Sequence, residues 1–170
     1  MVKSCTSQKV EPAARSQAII ELEHALRNQR PQGAAQIEAK VPHRGSMLLL
    51  DSVIWTSDGF ERGVAVKHLR TAEFWAQGHF PGDPIMPGVL MVEAGAQLAC
   101  YLHNSRSVTP QRAAFVRIEQ TSFRRIVRPG CDLYLLCEEV RWAPKRFVCD
   151  LHGVVNGRVV FESRITGVAV

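Results

Sequence analysis

The chain has 170 residues, 46% of them hydrophobic and 22% charged, which suits one folded core and argues against a disordered chain. No run approaches the roughly 18 consecutive apolar residues of a membrane-spanning helix, and the first residues lack the apolar stretch of a secretory signal. The formal charge of +5 favours an acidic partner, yet no nucleic-acid motif or interleaved basic and aromatic pattern accompanies it, so nucleic acid is not expected. The five cysteines contain no C-x-x-C pair, and three sit in apolar runs. They indicate neither a zinc site nor a disulfide framework, and they fit a reducing cytoplasm.

Residues 1–40 form an N-terminal leader, flexible to about residue 15 and then carrying a short helix. Ser16 is its predicted cap, Asn28 its approximate end, and Ile19, Ile20, Leu22 and Leu26 share one face. Gln29 to Gly33 breaks the pattern. Residues 41–170 form the main domain. Met47 to Trp55 is a predicted strand that turns at Asp58-Gly59 into a second one, where Phe60, Val64 and Val66 fall on one face. A loop runs to Pro87, followed by a helix to about His103. Four strands follow, over 113–123, 133–142, 147–155 and 159–168, the last two joined by Asn156-Gly157, the strongest hairpin signal in the chain. The helix is apolar on nearly every side, from Val89 through Leu102, and so must be wrapped rather than laid on a surface. The fold class is α+β, an antiparallel sheet folded around a long central helix.

The segment from Gly78 to Gln97 holds the chemistry. His79 stands in a loop stiffened by Pro81, Pro84 and Pro87. Glu93 and Gln97, one helical turn apart, share a face, so the amide can orient the carboxylate. Gly88 and Val89 open the helix, and their free N–H groups lie at the positive end of its dipole, fit for a developing oxyanion. Base, acid and oxyanion donors together suit proton abstraction next to a carbonyl with loss of a leaving group. No Ser or Cys stands beside a base in this segment, which argues against an acyl-enzyme. Spacing alone leaves plainer alternatives open: a surface histidine, a narrow solvated stripe at Glu93 and Gln97, and a merely rigid Pro/Gly turn.

The string His79-Phe80-Pro81-Gly82-x-Pro84-x-Met86-Pro87-Gly88-Val89-x-x-x-Glu93-Ala94-x-Ala96-Gln97 resembles the signature of the 3-hydroxyacyl-acyl-carrier-protein dehydratases of the FabZ type. Val41 to Asp51 is similar to that family's Pro-His-Arg element, with Gly45-Ser46 in place of its aromatic stretch. Phe123 to Asp132 is similar to its basic Pro-Gly-Asp element, interrupted by Cys131.

The resemblance implies a hot-dog fold and homodimers, commonly assembled as trimers of dimers, in which His79 of one subunit faces Glu93 of the other. It implies a hydro-lyase of fatty acid biosynthesis without metal or organic cofactor. His79 would remove the C2 proton of a 3-hydroxyacyl thioester, Glu93 would assist departure of the C3 hydroxyl, and Gly88, with Val89, would hold the thioester oxygen. Gln97 becomes the residue orienting Glu93. Glu93 stands where the dehydratase-isomerases carry Asp, which makes isomerisation the less expected activity. Arg124, Arg125, Arg128, Lys145 and Arg146 are candidate contacts for the acidic acyl carrier protein. The rival functions are a hot-dog thioesterase and a non-catalytic acyl-binding subunit. His43 is expected to be structural, as are His24, His68, His103 and His152, for which the sequence offers no partner.

Overall fold

A computed structural model describes residues 18–170; the expected cap at Ser16 lies outside them. Helix α1 spans Leu22–Arg27, shorter than expected, with Glu21 at its N-cap and no side-chain capping bond. A second short helix, α2 (Ala34–Glu38), was not legible in the sequence. Strands β1 (Ser52–Thr56) and β2 (Arg62–His68) form the expected hairpin. Helix α3 (Gly88–Ser105) is followed by β3 (Ala113–Phe123), β4 (Asp132–Ala143), β5 (Arg146–Val155) and β6 (Arg158–Ala169).

The start of the first expected strand is different. Gly45–Met47 is a single 3₁₀ turn, and residues 48–51 run extended without belonging to the sheet. Leu49 and Leu50 are buried nonetheless, because the Leu49 N–H donates to a side chain of α3, Gln97 Oε1, at 2.9 Å. Apolar content alone could not separate a strand from a buried strap held by a side chain.

The six strands form one antiparallel sheet in the order β1-β2-β4-β5-β6-β3. Helix α3 packs across one face against β2, β4, β5 and β6. Its Met91, Leu98 and Leu102 join Leu133, Leu135, Phe147, Leu151, Phe161 and Ile165 in the main core. The opposite face is covered as well: Ile20 and Ala25 pack with Ile54, Val64, Val66, Leu136 and Val154. Strand β4 therefore buries Leu133 and Leu135 on one side and Leu136 on the other, which explains why its sequence is continuously apolar instead of alternating. Residues 18–27 are part of this packing, and Ile37 of α2 belongs to the main core. An antiparallel sheet around a long buried helix is the hot-dog fold expected from the sequence.

The Asn156-Gly157 turn has φ of 50° and 69°, the pair of positive values that a type I′ hairpin demands. Strand β3 is the opposite case from β4. It pairs with β6 alone and forms one edge of the sheet, and Phe115, Val116, Ile118 and Phe123 are exposed along it. An apolar edge strand of this length is a template for pairing with another chain.

Gly153 marks a tight contact of sheet and core, where an added Cβ would fall 2.3 Å from the ring of the fully buried Phe161. The ring has nowhere to retreat. Gly153→Ala is therefore expected to lower the unfolding free energy by about 1–3 kcal/mol, the usual cost of overpacking, measured as a lower urea midpoint at unchanged slope.

Candidate active site

His79 is placed by a compact loop between β2 and α3. Its N–H donates to Trp75 O at 2.9 Å, and its own carbonyl accepts from Ile85 N–H at 2.7 Å. Met86 N–H donates to Val127 O at 2.8 Å, docking the end of the loop on the segment after β3. The His79-Phe80 peptide is cis, and the two rings stack at 4.0 Å between centroids. Imidazole Nδ1 lies 2.8 Å from Ile85 O. A carbonyl oxygen can only accept, so in the neutral ring the proton sits on Nδ1 and the Nε2 lone pair is free.

Pro87 caps α3, and Gly88 is its first residue. The N–H groups of Gly88 and Val89 have no acceptor among the described residues, as the first turn of a helix requires of groups left for a ligand or water. A Cβ on Gly88 would stand 2.7 Å from the Phe123 ring. The missing side chain thus makes room for this ring at the mouth of the helix.

Glu93, half-buried, follows in the second turn of α3. Its Oε1 accepts from Gln97 Nε2 at 3.0 Å and lies 3.2 Å from His43 Nε2. Gln97 is buried and fully used: Nε2 also donates to Met47 O at 2.8 Å, and Oε1 accepts the Leu49 N–H. The contact between Gln97 and Glu93 expected from their spacing is present. His79 is not among the hydrogen-bond partners of Glu93 within the chain.

The other histidines divide. His68 Nδ1 lies 2.7 Å from Asp132, and His152 Nδ1 accepts the Ile19 N–H at 3.3 Å, so the expectation that these two lack partners does not hold. Burial lowers the pKa of His152 and of His103, which packs against Phe147 and Trp142. His24 sits edge-on to Trp55. His43 departs furthest from expectation, because it lies on Glu93. The contact joins residues fifty positions apart, and nothing in the sequence reading linked them.

The five basic residues do not form one patch within the chain. Arg124 pairs with Glu162, and Arg128 holds Asp83 through two bonds of 3.3 and 3.0 Å. Both stand with Arg125 on the segment that docks the His79 loop. Lys145 and Arg146 lie at the β4–β5 turn, the end of the sheet where Phe147 meets His103 near the C-terminus of α3. No group of three or more metal-ligating side chains occurs among the described residues. None of their helices is long and apolar enough to cross a membrane. Cys100, Cys137 and Cys149 are free and buried, whereas Cys131 is disulfide-bonded, against the expectation drawn from cysteine spacing.

Comparison with known proteins gives the family and the fold. The FabA-like domain family matches residues 41–164. The 3-hydroxyacyl-[acyl-carrier-protein] dehydratase FabZ of Acetivibrio thermocellus is 37% identical over 134 residues, spanning 76% of this chain and 89% of that protein. The FabZ of Halalkalibacterium halodurans is 40% identical over 130 residues, spanning 75% and 91%. Among solved structures, the dehydratase heterocomplex ApeI:P from Xenorhabdus doucetiae superposes with a TM-score of 0.69 at 16% identity, covering 79% of this chain and 90% of that one. An HP0420 homologue from Helicobacter felis gives 0.60 at 10% identity, covering 81% and 100%. The two structures share the fold, and by family match and sequence identity the chain belongs to the FabA-like domain family, among the FabZ-type 3-hydroxyacyl-[acyl-carrier-protein] dehydratases.

Proposed function

We propose that this protein is a cytoplasmic hydro-lyase of fatty acid biosynthesis that removes water from 3-hydroxyacyl thioesters on acyl carrier protein. The observation that carries the mechanism is the hydrogen bonding of the two titratable groups. His79 has its Nδ1 committed to Ile85 O, leaving Nε2 as a base. Glu93 has both donors on Oε1, leaving Oε2 for a proton.

In this mechanism Nε2 of His79 takes the C2 proton. The C2–H electron pair moves toward the thioester carbonyl, whose oxygen gains charge against the Gly88 N–H, with the Val89 N–H beside it. Glu93 Oε2 gives its proton to the C3 hydroxyl, the C3–O bond breaks, and water leaves. The products are a trans-2-enoyl thioester, a protonated His79 and an ionised Glu93. Proton transfer from the first to the second, through solvent, restores both. The elimination itself uses only side chains and N–H groups of the protein.

One copy does not place His79 on Glu93, and the apolar β3 edge offers a surface for a second copy. The working unit in this proposal is a homodimer with two sites, each taking His79 from one subunit and Glu93 from the other, further assembled as a trimer of dimers. The acidic carrier protein docks on basic residues; Arg124, Arg125 and Arg128 stand by the His79 loop, while Lys145 and Arg146 would approach a site only through the second copy.

His79→Ala and Glu93→Gln are each expected to lower kcat about 10²–10⁴-fold, the contribution of a positioned acid or base. Enoyl absorbance is the readout, and thiol release without it would favour thioester hydrolysis instead. Two inactive variants, His79→Ala and Glu93→Ala, unfolded and refolded together, should regain activity, because a mixed dimer retains one intact site. A mixture that forms mixed dimers and stays inactive would rule out the shared site.

Lys145→Ala with Arg146→Ala tests the carrier contact, since neither residue has an ion-pair partner among the described residues. KM for carrier-bound substrate should rise at least about threefold while a small thioester analogue is unaffected, as expected when exposed charges steer an acidic partner. An equal change on both substrates would remove these two residues from the docking surface.

A further inference from the structure

We propose that His43 positions Glu93 for acid catalysis, donating from Nε2 to Glu93 Oε1 and so reserving Oε2 for the proton that leaves with the hydroxyl. This inference rests on the dehydratase assignment, and it gives a role to a residue that the sequence suggested was structural. Three observations carry it.

The first is the contact itself. His43 Nε2 lies 3.2 Å from Glu93 Oε1, the same oxygen that accepts from Gln97 at 3.0 Å. A carboxyl group whose one oxygen is engaged by two donors behaves as a carbonyl there, and its proton belongs on the other oxygen. Gln97 alone, its amide already shared with Met47 O, would leave the carboxyl freer to turn about its last bond.

The second is the tautomer. His43 Nδ1 is buried and has no hydrogen-bond partner among the described residues. A buried N–H without an acceptor is more costly than a buried lone pair facing apolar atoms. The neutral ring therefore carries its proton on Nε2, the nitrogen that faces Glu93.

The third is how firmly the histidine is held. The strap from Lys40 to Leu49 is pinned to α3 at both ends. Asn104 Nδ2 donates to Lys40 O at 2.6 Å, while Gln97 binds Met47 O and Leu49 N–H at the other end. Arg44 locks the middle, its guanidinium donating to Val41 O at 2.8 Å, His43 O at 2.7 Å and Glu38 O at 2.8 Å. A single helix thus carries the acid and both anchors of the strap that brings the second donor to it. Packing alone does not require an imidazole here, because one of its nitrogens is left unsatisfied.

The test compares His43→Leu, which removes the donor, with His43→Gln, whose amide nitrogen can reach the place of Nε2. His43→Leu should lower kcat for dehydration by roughly ten- to a hundredfold with KM within about threefold, less than the loss from removing the acid itself. His43→Gln should recover most of that loss, although both variants remove the ring. A Leu variant with unchanged kcat, or a Gln variant no better than Leu at equal thermal stability, would overturn the proposal.

Side-chain ¹⁵N–¹H correlation on histidine-labelled protein reads the contact without turnover. It should show His43 as the Nε2–H tautomer and a resonance that moves in Glu93→Ala; a Nδ1–H tautomer would refute the contact. An inactive wild-type protein would instead defeat the dehydratase assignment, with the tautomer measurement still deciding whether His43 serves Glu93.

Discussion

The buried amide of Gln97 is the interaction on which the rest of the site depends. It makes three hydrogen bonds, to Met47 O, Leu49 N–H and Glu93 Oε1, in a part of the helix closed to water. The buried Leu49 N–H would otherwise cost about 1–3 kcal/mol as an unpaired donor. No apolar side chain of similar size could replace it without stranding the strap backbone and taking one of two donors from the carboxylate. The amide also cannot be rotated by half a turn: the oxygen must face the Leu49 N–H, so the nitrogen must face Met47 O and Glu93. One buried polar group therefore sets the path of the strap and the orientation of the acid at once.

The sheet supplies the rigidity this arrangement needs. With α3 on one face and residues 18–27 on the other, strand β4 is buried on both sides and the helix has no room to shift against it. The N-terminal segment is thus more than a leader: its Ile20 and Ala25 cover the back of the sheet, and Ile37 reaches the core beside the strap. The family match begins at residue 41, so the residues that cover the back face lie outside the matched segment.

Much of the architecture was legible because period and turn chemistry agreed. Asn156-Gly157 could only be a hairpin, and a helix as apolar as α3 could only be enclosed. Gln97 beneath Glu93 followed from a four-residue spacing on one helix. What escaped depended on long-range contacts. The strap at 47–51 looked like a strand because buried extended chain has the same composition whether its N–H groups go to a neighbouring strand or to a glutamine. Likewise, α2 is too short to show a period. His43 looked structural because nothing within a few residues explains it; its partner is on α3, fifty positions away. The arginines were visible as charges, but Glu162 and Asp83, which engage Arg124 and Arg128, are set by strand register and loop path.

The proposed base and acid are held in different ways, and the difference bears on how the proposed reaction is divided. His79 is held by backbone hydrogen bonds, in which Trp75 O, Ile85 N–H and Ile85 O set its position and tautomer, and by the stacked Phe80 ring. Glu93 is held by side chains, and one of its two donors, His43, sits on a strap that is itself pinned to the same helix. A carboxyl group that must give up a proton and then regain it changes charge in every cycle. Donors that bind one oxygen in both states let it do so without turning. The unpaired N–H groups of Gly88 and Val89 lie on the same helix, a turn before Glu93. In the proposed dimer α3 would then present acid and oxyanion site as one rigid piece, and the second copy would contribute only the base. The geometry between acid and oxyanion site is internal to a single helix, so only the approach of His79 depends on how the two copies meet along β3.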